Sequence, residues 1–518
     1  MASILGDKDI SKQEHLEKAG NFDSNNIALS ESSMPAEIVN LFALFDGERE
    51  KKLIRKMDCH LIPILTALYL FAYIDRGNIG NARILGMEED LNLSDKQYNL
   101  ALTIFFISYC TFEVPSNILL KRFKPRVWIT VITISWGIIM TLMGLIHNWE
   151  GLLATRFMLG IPESGIFPAC AYYVTSWYPR REAQYRTALF YASASLAGAF
   201  SGLLAYVISL MDGVGHLAGW KWVFIIEGLL TVLGGVIAYF VIWNTPNDAP
   251  WLTEEEKRFI IARLAYDGNK SGLAQQEEGS KKAYIKSAVT DWQVYLNWIF
   301  YLGISVSTYG IVFGLPTIIT GLGYKARIAQ LMTVPPYVAA SCLTIVAAHF
   351  SDKTQRRGLF VISGLATALI GFVIAITTSD RPDLGGVTYA GCFIACCGFY
   401  PAFPGVVAWL ANNTAGPYKR AISIGLQLSL GNLGGFVGSN IYLARDRPAY
   451  RLGYGISIGF IFCAILAAGT MMFSLKRINK KRDEYVNREG GERAVIEKYG
   501  EWTLAEMGDR SPLFRYTI

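Results

Sequence analysis

Charged residues are scarce in this sequence. Asp, Glu, Lys and Arg make up only 17% of the 518 residues, whereas 52% are hydrophobic. A soluble protein of this length carries about a quarter charged residues, so the composition favours a membrane protein. The 49 glycines agree with this, because small residues let membrane-spanning helices approach one another closely. The net charge of +6 is too modest to indicate a nucleic-acid partner and suits an anionic membrane surface instead.

Residues for enzymatic or metal chemistry form no recognisable pattern. The eight cysteines follow neither a disulfide framework nor a zinc-binding spacing, and most of them lie within apolar runs. The five histidines are dispersed along the chain. We find no HExxH pair, nucleophile elbow, P-loop or dinucleotide-binding fingerprint. The sequence therefore predicts a protein that is not an enzyme and that uses no cofactor or metal.

Apolar segments long enough to span a membrane recur about twelve times along the chain. The approximate spans are 60–73, 99–120, 127–146, 151–177, 187–210, 222–243, 294–320, 330–350, 359–377, 387–411, 421–443 and 454–475. Basic residues concentrate in the loops on one side and beside both tails, which places both termini in the cytosol by the positive-inside rule. The predicted fold class is an all-α membrane protein.

A long polar insertion between the sixth and seventh spans divides the chain into two halves. Within it, Thr253 and Glu256 have the spacing of a helix capping box, which predicts an amphipathic helix to about Tyr266 and a flexible linker over 267–282. A basic turn follows the second span of each half, which is typical of a duplicated six-helix unit. The predicted domains are a disordered tail over 1–50, a first bundle over 51–243, a linker over 244–292, a second bundle over 293–476 and a tail over 477–518.

The fourth span contains Arg156 and Glu163, two charged residues where apolar ones are expected. They are seven residues apart, about two helical turns, and therefore project from the same face of a helix. A charge at membrane depth costs at least about 2.5–3.5 kcal/mol, so such residues normally face a partner or a polar cavity. One interpretation is a structural ion pair. The other is a polar route across the membrane, in which a proton on Glu163 frees Arg156 to bind a substrate carboxylate.

In the loop after the eighth span, Asp352, Lys353, Arg356 and Arg357 form a short acidic-basic motif, from which the copy after the second span departs at Lys121. This loop resembles the corresponding motif of the major facilitator superfamily. Further motifs are Tyr73-Ile-Asp75-Arg76-Gly-Asn78, Glu113-Val-Pro115-Ser-Asn117, Arg156-x3-Gly160-x2-Glu163, Pro250-Trp251-Leu252, Trp409-x2-Asn412-Asn413 and the closing residues 511–518. With these motifs the chain resembles, within the superfamily, the fungal anion:cation symporters that carry nicotinate, allantoate or pantothenate, and most of all the high-affinity nicotinic acid permeases.

The resemblance implies twelve transmembrane helices in two pseudo-symmetric bundles, which expose a central site to each side of the membrane in turn. It implies that Asp75 and Glu163 couple protons, and that Arg76 and Arg156 serve the substrate site or its gate. The basic loops are expected to latch one conformation. The gating residues predicted in these loops are Lys121, Arg122, Asp352, Arg356 and Arg357.

Several softer candidates lie in or beside the spans. Those that are predicted to contact substrate are Tyr109, Trp298, Tyr301, Tyr309 and Asn432. For each of them, helix packing, an interhelical hydrogen bond or a membrane anchor is the alternative. Glu227, close to the predicted start of the sixth span, is expected to make a loop or packing contact. Asn92 begins an Asn-Leu-Ser sequon in a predicted outer loop and is therefore a predicted glycosylation site.

Together these features predict proton-coupled uptake of a small organic anion, a monocarboxylate such as nicotinate, by a monomeric transporter in the plasma membrane. Its partners would be the anion, the proton and the lipid bilayer. Two alternatives stay open. One is efflux of an acidic metabolite by the same fold, and the other is a nutrient receptor that binds the anion without moving it.

Overall fold

The computed structural model of the chain describes residues 41–270, 281–415, 417–447, 449–500, 503–504 and 507–518. Most of these residues are helical, and no strand occurs among them. The main helices are α1 (Gly47–Ala82), α2 (Asp95–Arg122), α3 (Pro125–Met143), α4 (Trp149–Glu163), α5 (Ile166–Trp177), α6 (Arg180–Ser209), α7 (Gly219–Val241), α8 (Glu254–Lys270), α9 (Lys281–Val289), α10 (Trp292–Gly321), α11 (Ala326–Thr354), α12 (Arg357–Thr378), α13 (Gly385–Asn413), α14 (Pro417–Gly438), α15 (Arg451–Arg488) and α16 (Glu492–Tyr499).

These helices form twelve membrane crossings, because α4 and α5 together make one broken crossing. Eight helices in the described part of the chain have the length and composition of a membrane span, and two shorter apolar stretches lie in α6 and α14. The buried apolar side chains divide into two large clusters. One draws mainly on α1 to α8, and the other mainly on α10 to α15. Each bundle of six crossings therefore has its own core.

The first and last crossings are longer than predicted. Helix α1 covers Gly47–Ala82 instead of 60–73, and α15 continues to Arg488 instead of ending at 475. Hydropathy underestimates α1 because its last turns carry buried polar groups, among them Asp75 and Asn78, which face other helices. The C-terminal end of α15 is polar and extends beyond the apolar layer.

The predicted fourth span is not one continuous helix. Helix α4 ends at Glu163, and α5 begins at Ile166. Pro162 contributes to the break, because it has no N–H to continue the helical ladder. A Cβ on Gly160 would lie 2.6 Å from the carbonyl oxygen of Phe105, so α4 packs directly against the backbone of α2. Glu163 is therefore the last residue of a helix that is pressed against its neighbour.

The linker helix begins where the sequence predicts it. The Thr253 N–H donates to Glu256 Oε2 at 2.9 Å, and the Glu256 N–H donates to Thr253 Oγ1 at 3.3 Å, which confirms the capping box. Helix α8 then runs to Lys270, and α9 includes residues 281–282. Those parts of the predicted flexible linker are therefore helical, while residues 271–280 lie outside the described residues.

Helix α8 packs against the first bundle. The ring of Phe259 stacks on Phe45 with centroids 4.2 Å apart, and Lys56 Nζ lies 2.8 Å from Glu256 Oε2. Residues 41–50, which were predicted to belong to a disordered tail, are thus ordered by contact with α8, because Phe45 is buried there. The rest of that predicted tail, residues 1–40, lies outside the described residues.

The loops between crossings lie on two opposite faces of the molecule. We call the face that carries α8, α9 and α16 the terminal face, and the opposite one the distal face. The two bundles meet near the distal face, where Asn440 Nδ2 donates to Thr103 Oγ1 at 2.8 Å. A Cβ on Gly202 of α6 would lie 2.8 Å from the carbonyl oxygen of Gln330 in α11. The bundles are therefore in direct backbone contact on the distal side.

Candidate functional site

The buried charges do not form the predicted pair between Arg156 and Glu163. Glu163 Oε1 instead accepts a hydrogen bond from Arg76 Nε of α1, and both side chains are buried, at 0% and 5% exposure. Arg76 Nη1 also donates to the hydroxyl of Tyr309 in the second bundle at 3.1 Å. The ion pair thus links α1 to the end of α4 and contacts α10 through the arginine.

Aromatic rings surround Arg76. Its guanidinium carbon lies 4.7 Å from the ring centroid of Tyr109, 5.0 Å from that of Tyr73 and 5.8 Å from that of Phe105. At these distances the ring faces stabilise the cation. Tyr109 is a predicted substrate contact, and the structure places its ring against the arginine. The aromatic rings therefore hold the guanidinium from several sides, and they add no second negative charge to that of Glu163.

Arg156 is also buried, at 2% exposure. Its Nε and Nη2 atoms have no hydrogen-bond partner among the described residues. Glu163, Asp75 and Tyr98 are close enough to act on its charge electrostatically. Helical spacing alone places Arg156 and Glu163 on one face, but Arg76 from the adjacent helix binds the carboxylate directly and takes the expected position of Arg156.

A cavity of about 30 Å³ lies between the bundles, which is room for about two water molecules. Arg76 is the sole charged side chain among the described residues that line it. The polar and aromatic residues around it are Tyr73, Asn81, Ser201, Thr308, Tyr309, Thr333, Tyr337 and Tyr400. One permanent cation in an otherwise neutral, hydroxyl-rich and aromatic cavity is suited to an aromatic or aliphatic carboxylate.

Among the predicted substrate contacts, four do not line this cavity, Tyr109, Trp298, Tyr301 and Asn432, and neither does Arg156. Tyr301 is buried with its ring centroid 4.9 Å from that of Phe403, and it packs against Gly431. Trp298 is half-buried, and its Nε1 atom has no hydrogen-bond partner in the described part of the chain. Asn432 is half-buried. Tyr309, by contrast, lines the cavity, because it lies about two helical turns further along α10 than Tyr301.

Asp75 points into the first bundle, away from the cavity. Its Oδ2 atom accepts hydrogen bonds from Trp136 Nε1 at 2.6 Å and from Thr231 Oγ1 at 3.3 Å. Its Oδ1 atom is buried without a hydrogen-bond partner among the described residues. Glu163 and Arg156 are among its electrostatic neighbours. Asp75 therefore belongs to the same charged cluster as the ion pair but has no direct access to the cavity.

Glu227 lies deeper in its helix than predicted. Because α7 begins at Gly219 and not at 222, Glu227 lies more than two turns inside the helix and is only 3% exposed. It accepts a hydrogen bond from Asn78 Nδ2, and Ser201 Oγ donates to Asn78 Oδ1 at 3.1 Å. Since Ser201 lines the cavity, a chain of polar groups connects the cavity to this carboxylate. A sixth span predicted to start at Gly219 would have placed Glu227 inside the helix.

The predicted gating residues are only partly described. Arg122 and Arg356 are exposed, while the side chains of Lys121 and Asp352 lie outside the described residues. Arg357 is buried beside Asn412. Their role as a latch remains a prediction. Asn92 is exposed in the loop before α2 with a φ of 50°, and its glycosylation also remains a prediction.

The chain is similar in sequence to a large set of transporters. The family model of the Major Facilitator Superfamily matches residues 65–439. The MFS-type transporter cnsO of Penicillium expansum is 38% identical over 489 residues, which cover 93% of this chain and 93% of the relative. The high-affinity nicotinic acid transporter of Saccharomyces cerevisiae is 31% identical over 471 residues, which cover 90% of this chain and 85% of the relative.

Solved structures show the same fold. A bacterial homologue of the human lysosomal transporter Spinster, in an inward-facing and unoccupied conformation, superposes with a TM-score of 0.60 at 16% identity, over 79% of this chain and 95% of that one. The partially occluded inward-open xylose transporter XylE from E. coli superposes with a TM-score of 0.55 at 16% identity, over 80% of this chain and 97% of that one. The predicted fold class, twelve helices in two bundles, is confirmed.

Proposed function

Because the chain belongs to the major facilitator superfamily, and is thus a membrane transporter and not an enzyme, we propose that it moves a small organic anion together with a proton. The transported anion is a monocarboxylate of the nicotinate type, carried by alternating access between the two bundles. The observation that supports this proposal most directly is the buried pair of Arg76 and Glu163, whose arginine is the charged group lining the central cavity.

Competition for Arg76 provides the coupling in this proposal. Removing one partner of a buried ion pair typically costs about 3–5 kcal/mol, so separating Arg76 from an ionised Glu163 inside the protein is unfavourable. A substrate carboxylate that replaces Glu163 restores the pairing, provided that a proton neutralises Glu163. Its Oε2 atom, buried without a hydrogen-bond partner among the described residues, is the atom to receive that proton. Anion and proton then cross together, and the charge of the site is conserved.

The neighbouring charges have supporting roles in this scheme. Arg156 adds a second positive charge close to Glu163 and so favours loss of the proton once the anion has left. Asp75, which lies near both, is the proposed second proton-coupling acid, and its bonds to Trp136 and Thr231 hold it in place. The substrate itself contacts Arg76 and not Arg156, because Arg76 lines the cavity.

Two observations support a nicotinate-like anion. The relative from Saccharomyces cerevisiae named as a high-affinity nicotinic acid transporter is 31% identical to this chain. In addition, Tyr73, Tyr309, Tyr337 and Tyr400 surround the cavity, and their rings are suited to stack on a flat aromatic acid. We further propose that the protein works as a monomer in the plasma membrane. Its terminal face lies in the cytosol in this proposal, because basic residues concentrate in the loops of that face.

Uptake of radiolabelled nicotinate and of a panel of other small acids into cells that express the chain tests this function. We expect accumulation that is faster at an external pH near 5 than near 7 and that a protonophore abolishes. Binding without accumulation would identify a receptor instead. Faster loss of a preloaded acid, with no uptake, would identify an exporter.

Two substitutions test the mechanism. Glu163→Gln removes the proton acceptor, so it should abolish proton-driven accumulation but retain exchange of labelled for unlabelled anion. Arg76→Lys keeps the charge but loses the two-pronged contact with a carboxylate, so the KM should rise by about tenfold or more. Arg156→Lys should change KM less, and Arg55→Lys, at an exposed position on the same helix as Arg76, is the matched control. Normal concentrative uptake by Glu163→Gln, or an unchanged KM in Arg76→Lys, would exclude that residue from its proposed role.

A further inference from the structure

The last eleven residues of the chain lie in a groove on the terminal face of the second bundle. We call residues 508–518 the C-terminal strap. Asn413 of α13 donates to the carbonyl of Thr517 at 3.0 Å and accepts from its N–H at 2.8 Å. Asn479 of α15 binds Tyr516 in the same way, at 2.8 and 2.9 Å. Trp409 adds a third bond to the Thr517 carbonyl at 2.9 Å. Two amide side chains therefore each bind both polar groups of one backbone unit.

Arg482 of α15 fixes the earlier part of the strap. Its guanidinium donates to the carbonyl of Phe514 at 2.8 Å and to that of Asp509 at 2.7 Å. The same group lies 4.7 Å from the ring centroid of Tyr516, whose hydroxyl donates to the Asp509 carbonyl at 2.9 Å. Most of these contacts are hydrogen bonds to the backbone of the strap, and proteins bind extended peptide ligands in the same way.

A buried charge cluster connects the strap to two more helices. Lys419 of α14 is 5% exposed, and its Nζ lies 2.8 Å from Asp509 of the strap and 2.6 Å from Asp291. Asp291 is the N-cap of α10 and accepts from the N–H of Gln293 at 3.0 Å. The strap thus supplies one of two carboxylates that neutralise this lysine, and removing it leaves a buried cation less well compensated.

We propose that the groove is a peptide-binding site, that its ligand is the C-terminal strap, and that the bound strap braces the terminal-face ends of α10, α13, α14 and α15 into one unit. The brace extends towards the predicted gate. The side chain of Asn412, next to Asn413, accepts from the Arg357 guanidinium at 3.1 and 3.2 Å when its amide oxygen faces that group. The proposal is independent of the transported substrate.

Hydrogen exchange on the full-length protein tests the bound state. The amides of Tyr516 and Thr517 should exchange at least about 100-fold more slowly than in the free peptide. Asn413→Ala should accelerate exchange at Thr517, whereas Asn487→Ala, an exposed asparagine further along α15, should not. Exchange of the wild-type amides at the rate of the free peptide would overturn the proposal, whatever the transport assays show.

A second experiment tests recognition in trans. A variant that lacks residues 508–518 should bind a fluorescein-labelled peptide of that sequence saturably. Methylating the Thr517 backbone nitrogen keeps the side chain but removes the N–H that Asn413 accepts, so binding should weaken by about tenfold or more. Equal binding of both peptides would show that the groove does not read the backbone and would overturn the proposal. If the truncated variant does not fold, the exchange experiment decides alone.

Discussion

Substitution of Gly202 by alanine should disfavour the conformation described here. A Cβ at this position would lie 2.8 Å from the carbonyl oxygen of Gln330 and would overlap the hydroxyl of Thr333. The hydroxyl can rotate away, but the carbonyl belongs to the backbone of α11 and cannot. Helices α6 and α11 must therefore separate on the distal side. Overpacking of this kind costs about 1–3 kcal/mol.

This cost applies only while the bundles touch on the distal face. Once they separate there, the added methyl group no longer meets α11, and this cost disappears. The equilibrium between distal-closed and distal-open forms should therefore shift by about 5- to 150-fold towards the open form. Such a shift makes a minor open population readily detectable.

Pulsed electron paramagnetic resonance, which measures the distance between two spin labels, can detect this shift with labels at positions 214 and 324. Both positions are exposed on the distal face, one in each bundle, with 51% and 39% exposure. Labels carried on unnatural amino acids leave the eight cysteines intact. We expect the longer-distance population to grow in Gly202→Ala. The matched control is Gly459→Ala in α15, where a Cβ meets nothing within 4 Å. An unchanged distance distribution in folded Gly202→Ala would refute the reasoning.

Three further predictions follow from individual contacts. Tyr309→Phe removes the hydroxyl that Arg76 contacts, so the KM for the transported acid should rise about 3- to 10-fold, with Tyr301→Phe as control; an unchanged KM contradicts the role. Glu227→Leu leaves the Asn78 amide unpaired and should destabilise the protein by about 1–3 kcal/mol in thermal melts, whereas Glu227→Gln should not. Partial burial raises the pKa of Glu256, but Lys56 and the backbone of Thr253 lower it by more. The ionised form therefore stabilises the protein above about pH 4.3, and this is lost as the pH falls towards the lowered pKa, so the melting temperatures of wild type and Glu256→Gln should differ at pH 7 and converge in acid.

Much of the architecture can be predicted from the sequence, because it depends on local patterns. Twelve apolar segments, the capping box at Thr253 and the polar division between two halves all rest on periodicity and on neighbouring residues. Segment ends were less predictable. The end of α1 is polar but buried between helices, and Pro162 and its neighbours break the fourth crossing. Both features depend on which helix lies alongside.

The candidate site shows the same division. Arg76, Glu163 and Arg156 stand out in the sequence because a membrane segment rarely tolerates a charge without a use for it. Their pairing does not follow from spacing, since Glu163 binds an arginine 87 positions away in preference to one on its own helix. The hydrogen bonds between Asn413 and Thr517, 104 positions apart, cannot be predicted from the sequence either, because the residues around an asparagine do not show which distant backbone it binds.

The small central cavity has a consequence for every binding measurement on this protein. With room for about two water molecules, it is too tight for an aromatic acid such as nicotinic acid unless the surrounding helices move apart. An acid must therefore draw on conformers in which the bundles have moved apart, and its apparent dissociation constant equals the intrinsic one divided by the fraction of such conformers. Affinities measured for larger and smaller acids will consequently report how far the protein opens as much as how well each acid fits.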